Sequence, residues 1–125
     1  MSEAGARKSV CVIDDDELVR AWIAETLTAG GWRTLEAGAV DEGVSLIREH
    51  RLSAAVVDIL MPDRDGLEAI GQLRKVRPDL RIVAISGGGR VGADVYLSLA
   101  ARIGADATLQ KPLDGPALLA ALEGG

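Results

Sequence analysis

The chain has 125 residues and a formal net charge of −5, with 48% hydrophobic and 26% charged residues. This length suits one domain with a core of two or three layers, and the hydrophobic content excludes an intrinsically disordered chain. The acidic balance argues against a nucleic-acid partner, and two Trp, one Tyr and no Phe are too few for a base-stacking surface. The single Cys excludes an internal disulfide bond and a multi-cysteine zinc site.

Neither a membrane-spanning segment nor a secretory signal is predicted. No apolar run approaches the roughly 18 residues that a spanning helix needs, and the N-terminal MSEAGARKSV lacks the apolar core of a signal peptide. We therefore expect a cytoplasmic protein that does not insert into a membrane. Residues 1–7 are predicted to form an N-terminal tail, followed by one domain over residues 8–125.

Short apolar runs alternate with segments of helical period along the chain. In chain order, the first half predicts the strand Ser9–Ile13, a helix from Glu17 to about Ala29, the strand Trp32–Ala37, a helix from Val40 to near His50, and the strand Ala54–Asp58. In the first helix, Val19, Ile23 and Leu27 recur on one face. Asp15 or Asp16 is the expected cap of that helix, because a short acidic side chain accepts hydrogen bonds from the first free N–H groups.

The second half of the chain continues the same alternation. It predicts a helix that begins after Asp65 and closes at Pro78, the strand Arg81–Ser86, a helix over Val91–Ile103, the strand Asp106–Gln110 and a short helix over Pro116–Leu122. Asp65 is the expected cap of the third helix. In the fourth helix, the apolar residues Val91, Val95, Leu99 and Ile103 are predicted to share one face.

Five strand–helix units predict the α/β class, as one domain with a doubly wound parallel sheet of five strands and with helices on both faces. In an open sheet of this kind, ligands bind at the carboxyl ends of the strands. The polar residues that follow the predicted strands are therefore the candidates for function. They are Asp14, Asp15 and Asp16 after the first strand, Asp58 at the end of the third, Ser86 at the end of the fourth, and Lys111 after the fifth.

These side chains predict a cation site next to a phosphoryl site. Two carboxylates ~5 Å apart repel by roughly 3 kcal/mol at an effective dielectric constant near 20, so an acidic cluster either raises its own pKa values or binds a cation. Carboxylate oxygens suit Mg²⁺, and the Lys111 ammonium suits a phosphoryl oxygen or a carboxylate. Asp58 begins no predicted helix, so capping does not explain it. An aspartate beside Mg²⁺ and lysine favours attack on phosphorus, which forms an aspartyl phosphate.

Four segments follow one another along the chain: VIDDDELVR (12–20), VVDILMPDRDGLE (56–68), AISGGG (84–89) and GADATLQKPL (104–113). In this order they resemble the response-regulator receiver domains of bacterial two-component signalling, which have the CheY-like fold. The resemblance runs from about residue 8 to the C-terminus. It implies that Asp58 is the phosphoacceptor and that Asp15 and Asp58 bind Mg²⁺ directly. Asp14 would act largely through water, and the Leu60 carbonyl would be a further ligand.

The resemblance also implies roles for the remaining polar residues and for partners. Ser86 would donate a hydrogen bond to a phosphoryl oxygen and act as a switch, Lys111 would pair with the phosphoryl group, and Pro112 would follow a cis peptide bond. The donor would be a phosphohistidine on a sensor histidine kinase or on a histidine phosphotransfer protein, with acetyl phosphate as a small alternative. The protein would catalyse its own phosphorylation and slow dephosphorylation without being an enzyme that acts on other substrates.

Three positions depart from the usual pattern of that family. Thr108 stands where the family usually has the Tyr or Phe of the switch, so an inward-turning ring is not the readout here. The loop after Ser86, GGGRVGAD, is longer and richer in Gly than usual. Leu60 stands where a polar side chain often assists the attacking water, which predicts slow self-dephosphorylation.

Two other functions stay open at this point. The Thr108 departure leaves room for a receiver fold that acts as an adaptor without phosphorylation. The pattern Asp14-x-Asp16 resembles the opening motif of haloacid-dehalogenase-like phosphatases, although only Asp114 follows Lys111 where those enzymes have an acidic pair. No DNA-binding or catalytic module is predicted after the last helix. Output is therefore expected through an unknown downstream protein or a phosphorelay, with a homodimer on activation as a further possibility.

Overall fold

Five parallel strands form one sheet in a computed structural model that describes residues 8–61, 64–87 and 93–124, with the backbone alone at 60–61, 64–65 and 93–94. The strands are β1 (Ser9–Ile13), β2 (Arg33–Ala37), β3 (Ala54–Asp58), β4 (Arg81–Ser86) and β5 (Ala107–Gln110). The helices in these ranges are α1 (Glu17–Ala29), α2 (Val40–Glu49), α3 (Gly66–Val76), α4 (Ala93–Ile103) and α5 (Gly115–Glu123). None of these helices is long and apolar enough to cross a membrane. The N-terminal tail and most of the Gly-rich loop lie outside the described residues.

The strand order β2-β1-β3-β4-β5, with every pair parallel, confirms the predicted doubly wound α/β class. The central strand β3 is buried along its whole length because helices cover both faces of the sheet. One apolar cluster joins α1 and α5 to the sheet through Ile23, Leu27 and Leu118. The other joins α2 and α3 to the opposite face through Ile47 and Leu73. The sheet thus lies between two layers of helices, which leave the ends of its strands uncovered.

Helix α4 lies where it is predicted, but the apolar face that we expected to define it does not pack on the sheet. Val95, Leu99 and Ile103 are 61%, 38% and 43% exposed, and Val91 lies outside the described residues. The buried face of α4 instead carries Ala100, which has no exposed surface, and the partly buried Leu97. Helical period indicates which residues share a face but not whether that face meets the core. Here the small Ala100 side chain allows α4 to approach the sheet closely.

The segment between β3 and α3 forms a hairpin that the sequence pattern does not predict. Leu60–Met61 pairs in antiparallel fashion with Arg64–Asp65, and the hairpin leads directly into α3 at Gly66. Strands of two residues are too short for a pattern of alternation. The side chain of Asp65, the expected cap of α3, lies outside the described part of the chain.

Candidate functional site

The candidate site lies at the carboxyl end of the sheet, where β1 and β3 are neighbours. In the observed strand order, the chain leaves β1 toward α1 on one face and leaves β3 toward α3 on the other. A crevice forms where successive connections diverge in this way, and it is the usual ligand site of open α/β sheets. Asp14 follows β1 directly and Asp58 is the last residue of β3, so both carboxylates enter this crevice.

Three carboxylates and one ammonium meet in the crevice. Carboxylate oxygens of Asp14, Asp15 and Asp58 all lie within 4.8 Å of one another. The Lys111 Nζ lies 3.4 Å from Asp58 Oδ2, to which it donates a hydrogen bond, and 3.8 Å from Asp14 Oδ2. Asp14 and Asp58 are buried, whereas Asp15 is exposed. The structure therefore brings together four of the residues that the sequence singles out, although they are up to 97 positions apart in the chain.

Local backbone contacts hold Asp14 in this position. Its N–H donates to the Ala37 carbonyl at the end of β2 over 3.1 Å, and its Oδ1 accepts from the Asp16 N–H over 2.9 Å. Its Oδ2 is buried and accepts no hydrogen bond from any described residue. One oxygen of this carboxylate thus accepts a backbone hydrogen bond, while the other lies 3.8 Å from the Lys111 ammonium and has no hydrogen-bond donor within the described ranges.

Asp16 has a different task from the other two acids of its cluster. Its Oδ1 accepts from the N–H groups of Leu18 and Val19 over 3.0 and 3.2 Å, which caps the N-terminus of α1. The expectation that Asp16 is a capping residue is therefore confirmed. Its carboxylate is exposed and serves the helix rather than the crevice.

The acid–base balance of the crevice follows from burial and from the second carboxylate. Burial, together with the smaller effect of the nearby Asp58 charge, raises the pKa of the Asp14 carboxyl to about 6. The Asp16 N–H and the Lys111 ammonium oppose this rise because both favour the ionised form. The crevice therefore holds an ionised Asp14 at neutral pH only at a free-energy cost.

This raised pKa predicts that the fold loses stability as pH rises. Between the ordinary value of 3.8 and about 6, the unfolded chain has released the Asp14 proton while the folded chain still holds it. The contribution of the Asp14 proton to the free energy of unfolding is thus fully present below about pH 4. It falls as pH rises and is lost once pH has passed about 6, for a total of about 3 kcal/mol. Urea unfolding without divalent cations should show wild type weakening relative to Asp14→Asn over that interval. Equal pH dependence of the two proteins would contradict the prediction.

The donors in the crevice fit a hard divalent cation. Three carboxylates and one ammonium leave a formal charge of −2 when all are ionised. All potential ligands described there are oxygens, and Asp14 Oδ2 is a buried acceptor with no hydrogen-bond donor in the described part of the chain. Oxygen-only sets with an open, exposed side, here the side of Asp15, suit ions that retain water molecules.

The remaining predicted site residues lie on β4 and β5 or next to β3. Ser86 ends β4, and its Oγ is buried without a hydrogen-bond partner among the described residues. Its carbonyl accepts from the Lys111 N–H over 2.8 Å, which ties the end of β4 to the residue after β5. The bond between Lys111 and Pro112 is cis, as the resemblance implies. Thr108 in β5 is partly buried and pairs with Ala84 in β4, which lies two positions before Ser86.

Leu60 begins the hairpin immediately beyond the crevice. Its position after Asp58 and Ile59 keeps its carbonyl near the carboxyl end of β3 along the chain. A ligand role for that carbonyl stays a prediction, because it rests on the resemblance alone.

The sequence reasoning missed one residue that supports the site. Arg20 lies in α1, and its Nη1 donates to the Asp14 carbonyl over 2.8 Å. The available signal was its position one helical turn after the capping residue Asp16, which places it beside the end of β1. Contacts to backbone carbonyls leave no other trace in a sequence.

Comparisons with known proteins agree with this geometry. The family model of the response regulator receiver domain matches residues 10–123. Among curated relatives, the photosynthetic apparatus regulatory protein RegA of Rhodobacter capsulatus is 32% identical over 90% of this chain, which spans 60% of that protein. The acid tolerance regulatory protein ActR of Rhizobium meliloti is 32% identical over 94% of this chain, which spans 59% of ActR. The chain thus spans about three fifths of these relatives.

Solved structures give the same result. A response regulator protein from Burkholderia pseudomallei, determined with a phosphorylated aspartic acid, a calcium ion and citrate, has a TM-score of 0.82 at 30% identity and covers 92% of this chain and 66% of its own. A CheY-like receiver domain protein from Methanospirillum hungatei has a TM-score of 0.81 at 26% identity, with coverage of 93% and 90%. The family match spans nearly the whole chain and leaves no support for a haloacid-dehalogenase-like phosphatase. This chain belongs to the response regulator receiver domains of two-component signalling.

Proposed function

We propose that Asp58 accepts a phosphoryl group in a Mg²⁺-dependent reaction from a phosphohistidine of a sensor histidine kinase or a histidine phosphotransfer protein. The observation that carries the proposal is the crevice itself, in which the Lys111 ammonium lies 3.4 Å from a buried aspartate at the end of β3. Two further carboxylates lie within reach of a shared cation. This combination suits the transfer of a highly charged group to a carboxylate oxygen.

The transfer forms one bond and breaks one. An Asp58 carboxylate oxygen attacks phosphorus, the bond from phosphorus to the imidazole nitrogen breaks, and its electron pair returns to the imidazole. Lys111 pairs with a transferred phosphoryl oxygen and offsets the added negative charge. Asp15, Asp58 and the Leu60 carbonyl, with Asp14 largely through water, would hold Mg²⁺, which would supply positive charge to offset the charge on the phosphoryl oxygens.

Ser86 is suited to report the modification. Its buried hydroxyl at the end of β4 has no hydrogen-bond partner among the described residues, so a phosphoryl oxygen on Asp58 would satisfy it. Movement of Ser86 toward that oxygen would also move the backbone at the end of β4. Thr108 limits the switch to changes that need no large aromatic ring.

Output passes through contact with another protein or through transfer of the phosphoryl group in a relay. Slow attack of water on the aspartyl phosphate releases inorganic phosphate and restores Asp58, with Leu60 offering no polar assistance. The downstream protein is unknown, because the matched relatives are longer than this chain and their partners do not transfer to it directly. We include dimer formation on activation in the same proposal.

Intact-mass measurement after incubation with acetyl phosphate or phosphoramidate tests the proposed reaction. With Mg²⁺, we expect the mass to rise by one phosphoryl group, and with a chelator we expect no change. Because self-dephosphorylation is slow, phosphate should be released much more slowly than the chain gains its phosphoryl group. A chain that gains no phosphoryl group from either donor or from a phosphorylated histidine phosphotransfer protein would contradict the proposal and favour the adaptor.

A further inference from the structure

One side chain outside the crevice supports the segment that carries two of its acids. The Arg20 guanidinium is largely buried, with its side chain 17% exposed, and it bridges the loop after β1 and the end of β2. Its Nη1 donates to the Asp14 carbonyl over 2.8 Å, and its Nε donates to Glu36 Oε1 over 3.1 Å. A methyl group at Gly38 would lie 3.1 Å from the same Nη1, so the absence of a side chain there leaves room for the guanidinium.

The backbone of Asp14 is therefore held on both sides, by β2 and by Arg20. The Asp14 N–H donates to Ala37, and the Asp14 carbonyl accepts from Arg20, which is itself anchored by Glu36. The carbonyl that Arg20 holds belongs to the peptide that leads to Asp15. Rotation of this peptide would move the Asp15 carboxylate, which is exposed and lies at the open side of the cluster.

We propose that Arg20, anchored by Glu36, is a positioning residue that sets the affinity of the crevice for Mg²⁺ by fixing the peptide between Asp14 and Asp15. The inference rests on the proposed function, because it presupposes that the three carboxylates bind Mg²⁺. Among the described residues, the side-chain partners of Arg20 are the Asp14 carbonyl and Glu36, not the carboxylate oxygens of the crevice. Arg20 acts through the backbone that presents them.

The sign of the effect separates positioning from a simple charge effect. A positive charge near a cation site opposes cation binding, so removal of Arg20 would strengthen Mg²⁺ binding if only its field mattered. Loss of the hydrogen bond to the Asp14 carbonyl frees the peptide instead and weakens binding. Groups that orient metal ligands typically change metal affinity by about tenfold or more when they are removed.

Calorimetric titration of the whole chain with Mg²⁺ tests the inference. We expect Arg20→Ala to raise the dissociation constant about tenfold and Arg20→Lys to recover part of that loss, because an ammonium can hold the carbonyl but not both partners. Glu36→Gln should raise it by about threefold, since the guanidinium loses its charged anchor and keeps its carbonyl contact. If Arg20→Ala does not fold, Arg20→Lys decides the matter, because it keeps the positive charge and changes only the hydrogen bonds.

Arg74 provides a matched control at the opposite edge of the sheet. It is also a helical arginine with a side chain 27% exposed, and it donates to the Pro78, Leu80 and Gly104 carbonyls and to Asp106. Arg74→Ala should therefore lower the unfolding midpoint at least as much as Arg20→Ala while leaving Mg²⁺ affinity within about twofold of wild type.

The outcomes are distinguishable from a failure of the proposed function. Wild type that binds Mg²⁺ while Arg20→Ala and Glu36→Gln bind it equally or more tightly would overturn the positioning role alone. An equal loss of affinity in Arg74→Ala would overturn it too, because the effect would then reflect general destabilisation. Wild type that does not bind Mg²⁺ would overturn both this inference and the metal site on which it rests.

Discussion

Asp58→Asn is expected to abolish phosphoryl transfer to the chain. The substitution keeps the size of the side chain but replaces the nucleophilic carboxylate with an amide, and it removes one of the three carboxylates of the crevice. Mass spectrometry after incubation with Mg²⁺ and acetyl phosphate should detect no phosphoryl group on the variant, against one on wild type. The loss should not reflect unfolding, because removing a like charge beside the buried Asp14 relieves repulsion in the folded state.

Asp16→Asn is the matched control for this experiment. Asp16 belongs to the same acidic cluster in the sequence, but it caps α1 and is exposed. Asparagine is as good a capping residue as aspartate, so the fold and the phosphorylation of this variant should match wild type. Phosphorylation of Asp58→Asn at the wild-type level would show that Asp58 is not the acceptor, and an equal loss in Asp16→Asn would show that the effect is not specific to Asp58.

Gly66→Ala is expected to have the largest effect on stability. A Cβ at Gly66, the first residue of α3, would overlap the backbone of Ile59 and would lie 2.6 Å from its carbonyl carbon. Backbone cannot turn aside as a flexible side chain can, so the start of α3 and the segment after Asp58 must separate. We expect the free energy of unfolding to fall by about 3 kcal/mol, as measured by urea denaturation. Phosphorylation of the folded fraction should slow as well, because Ile59 adjoins Asp58.

Gly71→Ala in the same helix provides the comparison. Of the described atoms outside the helix backbone, the nearest to a Cβ there would be Ile103 Cγ2 at 3.8 Å, which is an ordinary contact. Alanine in a helix interior is favoured over glycine by about 0.5–1 kcal/mol, so this variant should be slightly more stable than wild type. Equal stability of the two variants would contradict the close approach of Gly66 to Ile59.

The central part of the fold could be predicted from the sequence because buried strands leave a strong pattern. The bounds of β1, β3 and β4 agree with the apolar runs, since helices cover both faces of these strands. The edge strands β2 and β5 begin one residue later than predicted. Partly exposed strands tolerate polar residues, so the apolar pattern does not mark where they begin. The hairpin at Leu60–Met61 and the face of α4 could not be predicted, since neither depends on periodicity alone.

The candidate site could be predicted because it follows from topology. Carboxyl ends of parallel strands share one edge, so Asp14, Asp58 and Lys111 could be brought together from positions far apart in the chain. Arg20 could not be assigned in this way, because its partner is the backbone carbonyl of Asp14. Such a contact depends on the angle at which α1 leaves β1, which appears only in three dimensions.

A crystal structure of the chain with Mg²⁺ and beryllofluoride, a stable mimic of the phosphoryl group, tests the central claim most directly. We expect the mimic on an Asp58 carboxylate oxygen, Mg²⁺ bound among the three aspartates, Lys111 Nζ against one fluorine and Ser86 Oγ donating to another. Beryllofluoride on a different residue, or Mg²⁺ bound away from Asp15 and Asp58, would contradict the account.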